Sequence, residues 1–185
     1  MKYFKSIIFM KVGFHSGENL EAIIKRKRQE EENAGKIFWG YGGTLCHPLT
    51  QVIPFVKESL NKVLKPVLFM SFTSSKSKYV SRVGEAREYS FDNKNWYPLP
   101  SGVSVRGSRY AIICKNLRRL DISVNLNLYE VAIGKNKGKT LGEVIKSRID
   151  KACAFLNPNH SDSPPKMVKI LYIAEIVEPF AVILR

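Results

Sequence analysis

Asp121-Ile122-Ser123-Val124-Asn125-Leu126-Asn127-Leu128 alternates polar and apolar residues without a break. Successive side chains of a strand point to opposite faces, so this stretch predicts a strand with one buried and one wetted face, the pattern of an antiparallel sheet. After the Tyr129-Glu130 step, Val131 and Ile133 carry the pattern on toward Gly134. Upstream, Tyr110 to Lys115 predicts a separate strand of similar character.

Working outward toward the N-terminus, residues 2–14 are nearly continuous in apolar character (Tyr3, Phe4, Ile7, Ile8, Phe9, Met10, Val12), which predicts a strand buried on both faces. His15-Ser16-Gly17 is a turn with Ser16 as candidate N-cap. A helix follows from Glu18 to about Asn33, with Leu20, Ile23 and Ile24 as its apolar stripe and only its first two turns anchored. Lys36 to Tyr41 predicts a strand ending in Gly42-Gly43. Val52, Phe55, Val56, Leu60, Val63 and Leu64 predict a helix over about 49–64, which places Pro54 in its first turn. Val67 to Phe72 predicts another strand, and shorter ones are expected near 88–91 and 103–105.

Toward the C-terminus, Thr140-Leu141-Gly142-Glu143 is a capping box, and Leu141, Val144, Ile145, Ile149 and Ala152 extend the predicted helix to about Phe155. Met167 to Leu184 predicts a strand pair or one bent strand, broken at Glu178-Pro179. Together these elements predict an α+β fold. It is a single domain over residues 1–185, with a curved, mainly antiparallel sheet or partly open barrel packed by about three helices. A long, basic, loop-rich insertion is expected at about 73–109.

Thirty Lys and Arg against sixteen Asp and Glu leave a formal charge of +14 on 185 residues. Such a surplus repels itself unless an anionic partner relieves it, which points toward nucleic acid or an anionic nucleotide. The bases are clustered. Residues 73–119 hold Lys76, Lys78, Arg82, Arg87, Lys94, Arg106, Arg109, Lys115, Arg118 and Arg119, against Glu85, Glu88 and Asp92. Tyr79, Tyr89, Phe91, Trp96, Tyr97 and Tyr110 are threaded through the same stretch, and cations with flat rings are the two components of single-strand binding. Lys25-Arg26-Lys27-Arg28, by contrast, points in every direction on a helix and reads as a solvated face.

Phe38-Trp39-Gly40-Tyr41-Gly42-Gly43-Thr44-Leu45-Cys46-His47-Pro48 concentrates aromatics and glycines, so Trp39 and Tyr41 are candidate stacking residues beside bare backbone. Gly134-Lys-Asn-Lys-Gly138-Lys139-Thr140 follows a strand and opens a helix, but it has three residues between its glycines where a Walker loop has four. Lys137, Lys139 and the Gly138 amide remain a candidate anion site. Three widely spaced cysteines without a CxxC predict a reduced protein with no metal and no cofactor, and a cytoplasmic location. No apolar run approaches the ~18 residues of a membrane span.

The leading strand, the helix opening Glu18-Asn19-Leu20 and the aromatic strand Phe38-Trp39-Gly40 resemble the small α+β barrels of the PUA and EVE group, which bind RNA or modified bases. That resemblance implies a barrel as the alternative fold and assigns no residue a role. The expected function is binding of nucleic acid or a phosphorylated nucleotide without catalysis. Lys76, Lys78, Arg82, Arg87, Arg106 and Arg109 would meet phosphate, while Trp39, Tyr41 and Trp96 would meet bases. One alternative is a phosphodiesterase or nuclease using His47, Cys46 and the central carboxylates Glu85, Glu88 and Asp92; another is a module that binds an acidic protein.

Overall fold

The computed structural model describes residues 4–75, 84–146, 149–160 and 164–185. The fold is α+β. Its strands are β1 (Ser6–Val12), β2 (Ile37–Tyr41), β3 (Val67–Phe72), β4 (Glu88–Ser90), β5 (Tyr97–Pro98), β6 (Tyr110–Asn125), β7 (Tyr129–Val131), β8 (Lys151–Leu156) and β9 (Met167–Leu184). The helices are α1 (Leu20–Ala34), α2 (Ile53–Asn61) and α3 (Leu141–Val144). The strands form one open sheet in the order β2-β6-β9-β3-β1-β8-β7, with β4 against the end of β9 and β5 against β4. Every pairing is antiparallel except β1 with β3, whose register runs Ile7 to Val67 through Val12 to Phe72.

β1 owes its unbroken apolar sequence to burial on both sides. Ile8, Met10 and Val12 face α1 and α2, packing with Leu20, Ile23, Ile24, Phe55 and Val56. Ile7 and Phe9 face the opposite layer, with Leu141, Val144 and Ile145. A third cluster gathers Phe38, Ala86, Val105, Ile113 and Val182 beneath the β4–β5 hairpin.

Several elements differ from the sequence expectation. The N-cap of α1 is Asn19, whose side chain accepts the Ala22 N–H at 2.9 Å; Ser16 sits in the preceding turn at φ 50°. α2 is shorter than predicted and is preceded by a wide turn over Pro48–Val52, although Pro54 does occupy its first turn. The two strands predicted around 110–115 and 121–134 are one sixteen-residue strand up to Asn125. Bulges between Lys115 and Arg118 and between Arg119 and Ile122 let it bend and stay paired with β9. β9 likewise runs unbroken through Glu178-Pro179, a cis peptide.

The largest correction concerns residues 140–155. The capping box forms, with the Thr140 N–H and hydroxyl both donating to Glu143. The helix then stops after one turn, and Lys151–Leu156 becomes β8. Leu141, Val144 and Ile145 are buried as the helical spacing requires. The free edge of β1 takes the rest: Ser6 pairs Phe155 and Met10 pairs Lys151, so sheet pairing overrides a stripe that continues in sequence only. The expected strand near 103–105 is an irregular segment, joined to residue 85 by one bridge between Glu85 and Arg106. Among the described residues, no helix is long and apolar enough to cross a membrane.

Candidate functional site

A cavity of about 730 Å³ opens where the C-terminal ends of β1 and β2 meet α1, the loop after β2, the 104–108 segment and the start of β8. Its wall carries Lys11, Arg26, Lys27, Arg106 and Lys151 against one carboxylate, Asp150, together with Phe14, Trp39 and Tyr41. The floor is made of strand ends. Trp39 and Tyr41 lie on the α1 side of β2 and are buried. Between them, Gly40 lets the 104–108 segment lie against β2: a Cβ there would fall 2.5 Å from Ser108 Oγ and 2.6 Å from Val105 Cγ1.

α1 supplies the side wall, and its second half is anchored, contrary to the sequence expectation. Lys27 and Glu30 are 3% and 2% exposed and continue the face of Leu20, Ile23 and Ile24. Lys27 Nζ donates to Glu30 at 2.9 Å, to the Phe38 carbonyl at 2.7 Å and to the Ser104 carbonyl at 2.9 Å. The Glu30 carboxylate accepts the Phe38 N–H at 2.8 Å and the Ser104 N–H at 3.0 Å. The pair thus bridges the outer edge of β2 and the 104 segment, replacing main-chain bonds the two would otherwise make to each other. Burial pulls the Lys27 ammonium below its ordinary pKa of 10.5, and Glu30 opposes that shift.

Arg26 is half-buried beside it. Its guanidinium holds Glu18 through Nε at 3.1 Å and Nη2 at 2.8 Å, and Nη1 donates to the Ser104 carbonyl. These bonds hold the Glu18 carboxyl below the usual carboxylate range. The reading of residues 25–28 as a solvated face therefore applies to Lys25 and Arg28, which are exposed, and fails for Arg26 and Lys27. Near the opposite wall, His15 Nε2 donates to the Arg106 carbonyl at 3.0 Å. Lys151 is 7% exposed and pairs with Asp150 at 2.7 Å, with its Nζ 6.0 Å from the centre of the Tyr41 ring. With Arg26, Lys27 and Lys151 paired with Glu18, Glu30 and Asp150, the cavity's surplus positive charge rests on Lys11 and Arg106.

Of the residues singled out from sequence, Trp39, Tyr41 and Arg106 converge on this cavity. Lys76, Lys78 and Arg82 lie outside the described residues. Arg109 is exposed and does not line the cavity, although its N–H donates to the Tyr41 carbonyl at 3.1 Å. Arg87 and Trp96 belong to the β4–β5 end of the molecule. The Arg87 N–H bonds the Arg185 carbonyl, and the Arg185 guanidinium stands 4.0 Å over the Trp96 ring. Lys137, Gly138 and Lys139 form the turn between β7 and α3. There the Gly138 N–H is spent on the Val131 carbonyl at 2.9 Å, so the amide is not directed at an anion.

No protein-family model matches the chain, and it matches no curated protein and no solved structure. The likeness to PUA and EVE barrels thus rests on the N-terminal strand–helix–strand alone, and the sheet is open rather than closed.

Cys46 and His47 do not meet as a nucleophile and base. Cys46 is 1% exposed with its Sγ 4.0 Å from Cys153 Sγ, and their contact together with burial pushes the Cys153 thiol well above its ordinary pKa. His47 Nδ1 accepts the Leu49 N–H at 3.3 Å, and its ring rests edge-on against Tyr110. The carboxylates of the central stretch are occupied separately. Glu85 accepts from Ser104, Glu88 pairs with Arg185, and Asp92 accepts the Lys94 and Asn95 amides. Sequence reasoning missed Lys11, Arg26, Lys27 and Lys151 as cavity residues. The one legible signal was the helical spacing of Lys27 and Glu30 on the Leu20–Ile23–Ile24 face.

Proposed function

We propose that the protein binds a nucleic acid or a phosphorylated nucleotide in this cavity, and that binding rather than chemistry is its task. The observation that supports this is the joint presence of cations in net surplus and the Trp39 and Tyr41 rings around one space of about 730 Å³. That volume falls within the range of small-molecule sites, and a cavity of mixed apolar and cationic lining suits a ligand with a flat ring and a negative group. The overall charge of +14 adds long-range attraction for such a ligand.

Trp39 fluorescence provides the test, with Trp96→Phe used to remove the second tryptophan. Titration with single-stranded RNA and DNA oligonucleotides should quench Trp39, and log K should fall linearly with log salt from about 50 to about 300 mM. Oligonucleotide binding that ignores salt over that interval, or no binding by any oligonucleotide or nucleotide, overturns the reading.

A further inference from the structure

Resting on the reading of the cavity as a nucleotide site, we infer that its Gly42–Leu45 end, closed by Lys151, takes a terminal phosphate monoester, with the nucleoside ring lying toward Trp39. Three observations place the anion there. First, the pairing of β2 with β6 ends at Tyr41 opposite Tyr110. Among the described residues, no protein acceptor receives the N–H groups of Gly42, Gly43, Thr44 or Leu45, although all four residues line the cavity. Consecutive unspent amides in a loop with a left-handed residue, here Gly43 at φ 84°, are the donors that anion-binding concavities use.

Second, the Lys151 ammonium lies beside this loop. A Cβ built on Gly43 would touch Nζ at 3.8 Å, which places the ammonium against the loop. Of the three Lys151 donors, one is on Asp150. The Asp150 carboxylate offsets part of the Lys151 charge, but its side chain is 47% exposed and can turn to water, whereas Lys151 at 8% has little other access to solvent and two donors left for an anion. Lys11 also lines the cavity, and its Nζ donates to the Lys146 carbonyl at 2.9 Å.

Third, burial selects the kind of phosphate. An internal phosphodiester needs chain leaving on both sides, which a lysine only 7% exposed disfavours, whereas a monoester ends at the ammonium. A monoester also carries roughly −1.5 to −2 charge at neutral pH and offers three acceptor oxygens, matching several amides and an ammonium. The monoester is either that of a free nucleoside monophosphate or that of a phosphorylated strand end.

Calorimetric titration of the intact protein with the four nucleoside 5′-monophosphates, their nucleosides, and oligonucleotides bearing 5′-phosphate or 5′-hydroxyl distinguishes these sources. The phosphorylated member of at least one pair should bind about tenfold tighter or more, and Lys151→Gln should erase the preference while leaving nucleoside binding in place. Amide NMR of the unmodified protein gives a reading free of folding effects: the monophosphate should shift the Gly42, Gly43, Thr44 and Leu45 resonances. Nucleotides and nucleosides that bind alike without shifting those amides would overturn the phosphate end and leave the cavity reading standing. Failure of every nucleotide, nucleoside and oligonucleotide to bind would remove both.

Discussion

Replacing both Lys27 and Glu30 with apolar residues separates two accounts of a buried ion pair. In the usual account, an isolated pair gives way to well-packed hydrophobic residues at little cost, because desolvation offsets the mutual attraction. Here the pair also saturates four main-chain groups, the N–H and C=O of Phe38 and of Ser104. In Lys27→Met/Glu30→Leu the N–H and C=O of Phe38 and the N–H of Ser104 lose their partners, while the Ser104 carbonyl keeps the Arg26 guanidinium. An unsatisfied buried group costs about 1–3 kcal/mol, so three imply a loss of about 3 kcal/mol at the least if all stay dry. Water entering from the adjoining cavity would lower that to about 2 kcal/mol.

Single variants should fall further or equally. Lys27→Met strands the Glu30 carboxylate 2% exposed, and removing one partner of a buried pair costs about 3–5 kcal/mol. A domain stable by about 5–15 kcal/mol sits near the edge of folding after such a loss, so urea titrations followed by far-UV dichroism must be run with a stabilising osmolyte present in every sample. The double variant should show a lowered midpoint and an unchanged slope. Recovery of the double variant to within about 1 kcal/mol of the parent protein would refute the claim that the pair stands in for main-chain bonds.

Alkaline pH supplies a further check. Cys114 and Tyr41 are held above their ordinary pKa values mainly by burial, and Cys153 mainly by its contact with Cys46 and then by burial. Their contribution is complete below the ordinary values of 9–10 and is lost as pH rises beyond them. Lys27, with a lowered value, acts in the opposite sense as pH approaches 10.5. Thermal midpoints in the presence of reductant should therefore fall above about pH 9, less steeply in Cys114→Ala, and a flat profile would count against three buried neutral groups. Gly40→Ala forces the Ser108 and Val105 side chains away from β2, at about 1–3 kcal/mol, and a variant as stable as its parent in urea would show that the 104–108 segment does not pack as described. Asp92 accepts four hydrogen bonds, those of the Asn95 and Lys94 amides foremost, which hold its carboxyl well below the usual range. The Lys94 and Asn95 amide resonances should stay unchanged as pH falls past the ordinary carboxylate value of 3.8, and Asp92→Asn should shift both at neutral pH.

The strand positions were readable wherever the period was clean. β1, β2 and β3 all fall within their expected ranges, because continuous apolar runs bounded by glycine, proline or charge leave few alternatives. β8 was not readable, because Lys-Ala-Cys-Ala-Phe-Leu carries neither alternation nor β-branching, and only the unpaired edge of β1 selects its conformation. The site was legible in part. Trp39, Gly40 and Tyr41 stood out by composition, and Gly40 owes its place to a close approach that sequence cannot display. Counting charges led toward the bases of 73–119, whereas the cavity takes its cations mostly from elsewhere. Lys11 and Lys151 are isolated in sequence and come together across the pairing of β1 with β8.

The Lys27–Glu30 pair explains why one wall of the cavity sits where it does. A sheet edge left bare invites another strand, and β2 is the terminal strand on its side. Direct bonding between Phe38 and Ser104 would have closed the edge and drawn the 104–108 segment in toward Trp39. The Lys27–Glu30 pair instead closes the edge at side-chain length, so the segment stands off from the strand there and approaches again at Gly40, where Ser108 and Val105 fit the missing side chain. The space held open between those two attachments adjoins Trp39 on one side and leads to the Gly42–Leu45 amides on the other. The desolvation carried by Lys27 is thus a structural cost of keeping a wall of the cavity apart from β2, which is why a ligand bound there should stabilise the protein more than it stabilises the Lys27→Met variant.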